Sequence, residues 1–138
     1  MKSLGQFFDE TLGKKVDFDG SFGAQCVDLF RQYNQEVFDL PHTGSVEGAK
    51  DLYLKYDALN GEKTHYNRIA HKTGTLPQVG DVIIWDASGT NKYGHVAIVL
   101  FATGKNVTVA EQDGFKQDGV KVQVRSYDRC LGYLRKKG

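Results

Sequence analysis

Apolar positions follow two regimes along the chain, helical spacing near the start and short strand-like runs after residue 80. Leu4, Phe7, Phe8 and Leu12 recur at i, i+3, i+4 and i+8, the stripe of an amphipathic helix over residues 3–12 that Gly13 stops. Cys26, Leu29, Phe30, Tyr33 and Val37 repeat the stripe at i, i+3, i+4, i+7 and i+11. They predict a central helix over Cys26–Phe38, buried on one face, with Cys26 at the top of that face. Pro41 and Gly44 break the chain, and a shorter helix over roughly Val46–Tyr56 ends before Asn60-Gly61. Residues 61–80 read as polar and irregular, closing on the turn Leu76-Pro77-Gln78-Val79-Gly80-Asp81. Strands are expected at Val82–Trp85, His95–Phe101, Val107–Glu111, Val120–Tyr127 and Cys130–Leu134, with turn signals at Ser88-Gly89, Gly104-Lys105 and Asp118-Gly119. Helices first and strands afterwards argue for an α+β fold with an antiparallel sheet.

The chemistry is densest between the first two helices. Asp17, Asp19, Ser21, Gly23 and Asp28 occupy positions 1, 3, 5, 7 and 12 of a Gly-rich loop, the ligand spacing of an oxygen-lined calcium site. A standard EF-hand is a poor match, because positions 6 and 12 hold Phe22 and Asp28, and a turn formed by Asp17 and Asp19 without metal is an equal alternative. Cys26 follows at the predicted helix start, where unpaired backbone N–H groups favour an anion and hence a thiolate. A lone Cys on an apolar helix face is more often a small core residue, so the rest of the chain has to supply a base.

Alternation along the strand that begins Tyr93-Gly94-His95 puts His95, Ala97, Val99 and Phe101 on one face. A three-residue connection, Ala102-Thr103-Gly104, predicts a hairpin in which Phe101 faces Lys105, Val99 faces Val107, Ala97 faces Val109 and His95 faces Glu111. With the Cys26 helix laid across that face, a sulfur nucleophile, an imidazole base and a carboxylate that holds the imidazole converge. The backbone N–H at Cys26 and the side-chain amide of Gln25 are the nearest donors for an oxyanion, and Asp113 is a second polar partner near His95. His42, His65 and His71 are expected in solvent-exposed loops.

The 138 residues, 40% hydrophobic, suit one domain with a real core. A net charge of +1, with the two signs mixed, gives no support to nucleic-acid binding or a polybasic membrane anchor. Two cysteines, Cys26 and Cys130, are too few for a disulfide framework. No signal peptide and no membrane-spanning run is legible, so synthesis in a cytoplasm and release by another agent are expected. The protein is expected to act as a monomer.

Asp17-x-Asp19-Gly20-x-x-Gly23-x-Gln25-Cys26-x-Asp28-Leu29, Gly80-Asp81, Gly94-His95-x-Ala97-Ile98-Val99 and Glu111-Gln112-Asp113 together resemble the CHAP family. These are the cysteine, histidine-dependent amidohydrolase/peptidase domains of phage endolysins and bacterial cell-wall hydrolases. The resemblance spans roughly residues 3–136 and implies a papain-like arrangement, N-terminal helices packed on a twisted antiparallel sheet. It implies Cys26 as nucleophile, His95 as base and Glu111 as third member. It also implies calcium held by the side chains of Asp17, Asp19 and Asp28, with Ser21 and Gly23 contributing backbone carbonyls. The implied substrate is bacterial peptidoglycan, cut as an N-acetylmuramoyl-L-alanine amidase or as a cross-bridge endopeptidase. A non-catalytic wall-binding module and a papain-like protein peptidase are the alternatives. Related lysins often read Glu-Gln-Asn where this chain has Glu111-Gln112-Asp113, which leaves the role of Asp113 open. Trp85, Tyr93 and Phe115 are candidate aromatic contacts of a groove walled by residues 39–80, with Trp85 equally at home in the core. No wall-binding module is legible, and a domain cut from a modular lysin near Lys136-Lys137-Gly138 is favoured over a protein acting alone.

Overall fold

The computed structural model describes residues 2–17, 25–40, 46–72, 75–112 and 118–137. Helix α1 (Leu4–Thr11) starts at Ser3, whose side chain accepts the Gln6 N–H, and the chain leaves it through Gly13 at a left-handed φ of 82°. Helix α2 (Cys26–Phe38) has the predicted bounds and buries Leu29, Phe30 and Tyr33 to 1% exposure each. Side chains of that size contribute about 1.5–3 kcal/mol apiece on full burial, enough to hold α2 on the sheet.

The middle of the chain departs from expectation. In place of one helix over Val46–Tyr56 there is a single turn, α3 (Asp51–Leu54), and a 3₁₀ turn at Tyr56–Ala58. Asn60-Gly61, read as a break, instead opens α4 (Asn60–His65), which runs directly into strand β1 (Tyr66–Ala70). The reason is tertiary: Tyr66 is 1% exposed, its hydroxyl donates to Asn34 of α2, and the Tyr56 hydroxyl donates to its carbonyl at 2.5 Å. Such long-range bonds leave no periodic trace in a five-residue segment.

The remaining strands are β2 (Val82–Trp85), β3 (His95–Ala102), β4 (Asn106–Gln112), β5 (Val120–Ser126) and β6 (Cys130–Lys136). They form one antiparallel sheet in the order β1-β6-β2-β3-β4-β5. One face carries Val82, Ile84, Val96, Ile98, Val120 and Leu134 against α1 and α2. The other gathers Ile83, Trp85, Ala97, Val99, Val107, Val109 and Tyr133 into a second core. Asp81, the acid of the Gly80-Asp81 pair, is structural here. Its carboxylate takes the Gln78 N–H at 2.8 Å and a two-nitrogen contact from Arg135, pinning the start of β2 to β6.

Candidate active site

Cys26 is the first residue of α2 and half-buried. Gln25 precedes it in an extended conformation and forms a capping box with Asp28, whose Oδ2 accepts the Gln25 N–H at 3.0 Å. A carboxylate in the first turn also suits the positive end of the helix dipole. His95 opens β3 immediately after Gly94, which has φ 75° and no room for a side chain, since a Cβ there would lie 2.4 Å from the Trp85 carbonyl. Asn91 fastens this turn, donating to the Gly94 carbonyl at 2.8 Å and accepting the Tyr93 N–H at 2.9 Å. The Trp85 ring, 5.7 Å from the His95 ring, covers its flank, and Trp85 Nε1 donates to the Ser126 carbonyl.

The Cys26 thiol and the His95 imidazole lie within hydrogen-bonding reach. His95 Nε2 is 3.3 Å from Glu111 Oε1, an ion-pair distance without hydrogen-bond alignment. Burial alone would lower the imidazole's pKa, but the Cys26 sulfur and the Glu111 carboxylate together raise it to about 9. Burial would raise the Glu111 carboxyl in turn, yet Arg125 and then His95 hold it down at about 2. Cys130, a free thiol paired across the sheet with Trp85, is pushed up to about 12 by burial.

Two details of the predicted assembly are corrected. The hairpin pairs Val99 with Val109 and Ile98 with Ala110, two residues off the expected register. Ala102 pairs with Val107, so the connection is the four residues 103–106, and a bulge between Val99 and Phe101 shifts the ladder again. The net displacement is even, so His95 and Glu111 stay on one face as diagonal neighbours, with Glu111 falling opposite Ala97. Secondly, α2 does not lie across the His95 face. It packs on the opposite face, and the thiol meets the imidazole at the end of the sheet, where β3 begins and α2 begins.

Two residues of the site take no role from the sequence alone, although Gln112 stands within the Glu111-Gln112-Asp113 motif. Arg125 on β5 grips both carboxylate oxygens of Glu111, Nη2 at 2.6 Å from Oε2 and Nε on Oε1, while its guanidinium lies 5.7 Å from the Trp85 ring. An arginine in an alternating strand looks like a solvated charge until the partner strand is known. Gln112, fully buried, faces the helix side of β4. Its amide accepts the Val16 N–H at 2.7 Å and donates to the carbonyls of Val16 at 2.7 Å and Gln25 at 2.8 Å. It therefore clasps both ends of the 17–24 loop.

Asp19, Ser21, Gly23, Asp113, His42 and Phe115 lie outside the described residues. Of the expected calcium ligands, Asp17 is exposed and Asp28 is buried at 3% exposure. Their oxygen chemistry suits a hard cation, and a calcium there would share Asp28 with the helix cap. Among the described residues no group of three or more His, Cys, Asp or Glu side chains could hold a metal. His71 is not solvated as expected: it stacks on Tyr127 with ring centroids 4.8 Å apart and its Nδ1 bonds the Tyr133 hydroxyl at 2.5 Å. His65 closes α4 and is half-buried. A cavity of ≈ 650 Å³, lined in part by Trp85, Asn91, His95, Arg125 and Arg129, opens beside the imidazole. No helix among the described residues is long and apolar enough to cross a membrane.

Residues 15–113 match the CHAP domain family. The chain is 32% identical over 150 aligned positions to Endolysin PlyTW of Staphylococcus phage Twort, covering 98% of this chain and 30% of that protein. It is also 32% identical over 98 residues to the glutathionylspermidine synthase of Crithidia fasciculata, covering 67% of this chain and 14% of that enzyme. The chain thus spans at most 30% of the length of these relatives. Among solved structures, the endolysin LysIME-EF1 superposes with a TM-score of 0.67 at 21% identity, over 98% of this chain and 64% of its own. Ly7917 superposes with a TM-score of 0.69 at 18% identity, over 94% and 60%. At those identities the structural matches speak for the α+β fold, while the family match covers the loop, the Cys, the His and the carboxylate described above, and the chain belongs to the CHAP domain family.

Proposed function

We propose that this chain is a cysteine-dependent peptidoglycan hydrolase that cuts an amide bond in bacterial wall peptide, as an N-acetylmuramoyl-L-alanine amidase or a cross-bridge endopeptidase. The observation that carries the reading is the run of contacts Cys26–His95–Glu111 at the start of a helix. The Cys26 thiolate attacks the scissile carbonyl carbon, a sulfur–carbon bond forms and the carbonyl π pair moves onto oxygen. The His95 imidazolium gives its proton to the leaving amine as the carbon–nitrogen bond breaks. Neutral His95 then takes a proton from the water that hydrolyses the thioester. Glu111 holds the ring and balances its charge between these steps. The Cys26 N–H, at the first residue of α2, is directed at the developing oxyanion. Likeness to a phage endolysin supports the wall as substrate.

Bound calcium supports the 17–28 loop in this reading. Asp17, Asp19 and Asp28 would hold it by side chain and Ser21 and Gly23 by backbone oxygen, and what it supplies is order in the segment leading to Cys26. The test is mass spectrometry of soluble products from digested Gram-positive walls, with Cys26→Ser and His95→Ala as controls. A new N-terminal alanine on free stem peptides means amidase, and peptides cut within the bridge mean endopeptidase. Undiminished clearing by either variant, or casein cleavage without wall products, refutes the proposal.

A further inference from the structure

The two halves of the site approach from opposite faces of the sheet, and one strand end touches both. Residue 111 of β4 points to the His95 face and residue 112 to the helix face, as alternation requires. Gln112 is fully buried, and its side-chain amide donates at 2.8 Å to the carbonyl of Gln25. That carbonyl belongs to the same peptide unit as the Cys26 N–H. In a trans peptide the C=O and N–H point in opposite directions, and the structure contains no cis bond among its described residues. A donor fixed on the carbonyl therefore fixes the N–H on the far side of the plane, aimed out of the helix start. It also polarises that N–H, since hydrogen bonds in series strengthen one another. The other contacts of Gln112, with both the N–H and the carbonyl of Val16, hold the amide plane from turning.

We infer that Gln112 is a positioning residue for the hydrolysis: it sets the Gln25–Cys26 peptide so that the Cys26 N–H meets the oxyanion, in fixed relation to Glu111 one residue away. The inference rests on the reaction proposed above. When the sulfur–carbon bond forms and the carbonyl pair moves to oxygen, the negative charge appears where this N–H points. Losing the clasp leaves sulfur and imidazole in place but removes a donor from the Gln25 carbonyl, which also accepts the Asp28 N–H at 3.1 Å, and so loosens the peptide plane. An ångström of misplacement, or one missing oxyanion donor, costs roughly 100-fold in rate.

The experiment compares wild type with Gln112→Met, which keeps length without hydrogen bonds, and Gln112→Glu, which keeps the acceptor for Val16 N–H and loses both donors. Three quantities are measured: wall-clearing rate against wall concentration, the rate at which iodoacetamide alkylates Cys26 by site-resolved mass spectrometry, and melting temperature. Alkylation needs the thiolate but no oxyanion site, and the half-buried Cys130, its thiol pushed up to about 12, gives little background. Both variants are expected to lose 10- to 100-fold in maximal clearing rate, with half-saturating wall concentration and alkylation rate each changed less than about 3-fold. Clearing within 3-fold of wild type in a folded variant overturns the inference, and so does alkylation falling in step with clearing. A variant that does not fold passes the question to Gln112→Asn, whose shortened amide should keep the fold and show the same split. Wild type that neither clears walls nor alkylates at Cys26 would instead sink the proposed reaction itself.

Discussion

Replacing Arg125 by Met removes the guanidinium from Glu111 while keeping most of its aliphatic bulk under Trp85. Glu111 is fully buried, and its carboxyl is held at about 2 against an ordinary 4.5. At 1.36 kcal/mol per pH unit that depression corresponds to about 3 kcal/mol favouring the carboxylate. Hydrogen bonds from Arg125 and then His95, together with the charges of both, hold it there against burial. The arginine side chain is 37% exposed, so solvent screening trims the cost of removing it to about 2 kcal/mol at pH 7. The depressed group stabilises the fold fully above 4.5, and that contribution is lost as pH falls from 4.5 toward 2. Arg125→Met is therefore expected to unfold at lower urea at pH 7, with a melting temperature lower by several degrees, and to close the gap on wild type as pH drops below 4.5. In a Glu111→Gln background the same replacement should cost under about 1 kcal/mol, because no buried carboxylate is left to orphan. A cost that is undiminished in that background, or below about 0.5 kcal/mol at pH 7 in the native one, would refute the role assigned to this pair.

Other outcomes follow from the same geometry. His95 is raised from 6.5 to about 9, so its charged pairing is complete below 6.5 and is lost as pH rises through 9. Wall clearing should fall on the alkaline side with a midpoint near 9, and Glu111→Gln should bring that midpoint down; a midpoint unmoved by the substitution contradicts the pairing. Chelation should lower melting temperature or clearing, calcium should restore it, and Asp17→Ala or Asp19→Ala should mimic the chelator. If neither quantity moves, the loop is a turn without a resident metal. Gly94→Ala places a Cβ 2.4 Å from the Trp85 carbonyl at a φ of 75°, a strain of about 1–3 kcal/mol at the residue before His95. Clearing should drop well beyond what the fall in melting temperature explains, and a variant matching wild type in both would show that the turn relaxes freely.

Much of this site was legible because its signals are local. Cys26 at a helix start and His95 at a strand start each follow from periodicity within a dozen residues, and α2 appears with its expected bounds. What escaped is set by contacts distant in sequence. Strand β1 exists because it pairs with β6 and because Tyr66 bonds across to α2, and nothing in Tyr66–Ala70 itself alternates strongly enough to announce it. Arg125 and Gln112 have no partner visible in the sequence until the third dimension gives them Glu111 and the Gln25 carbonyl. The face on which α2 rests is likewise decided by the whole sheet, since Val82, Ile84, Val96 and Ile98 outcompete the His95 side for the helix.

The misjudged hairpin register shows why the His95–Glu111 pairing survives that kind of error. Lengthening the turn and adding a bulge each change the pairing, and only their sum decides which face a side chain meets. An even sum moves Glu111 along its own face, where a glutamate and a histidine still span the diagonal. An odd sum would exchange Glu111 and Gln112 between faces, putting a carboxylate against the Gln25 carbonyl and an amide beside the imidazole. The first would repel the start of α2 and the second would leave His95 without a counter-charge. The bulge near Val99 is thus a condition of the site: with the four-residue connection it restores the parity that keeps Glu111 with His95 and Gln112 with the Gln25–Cys26 peptide.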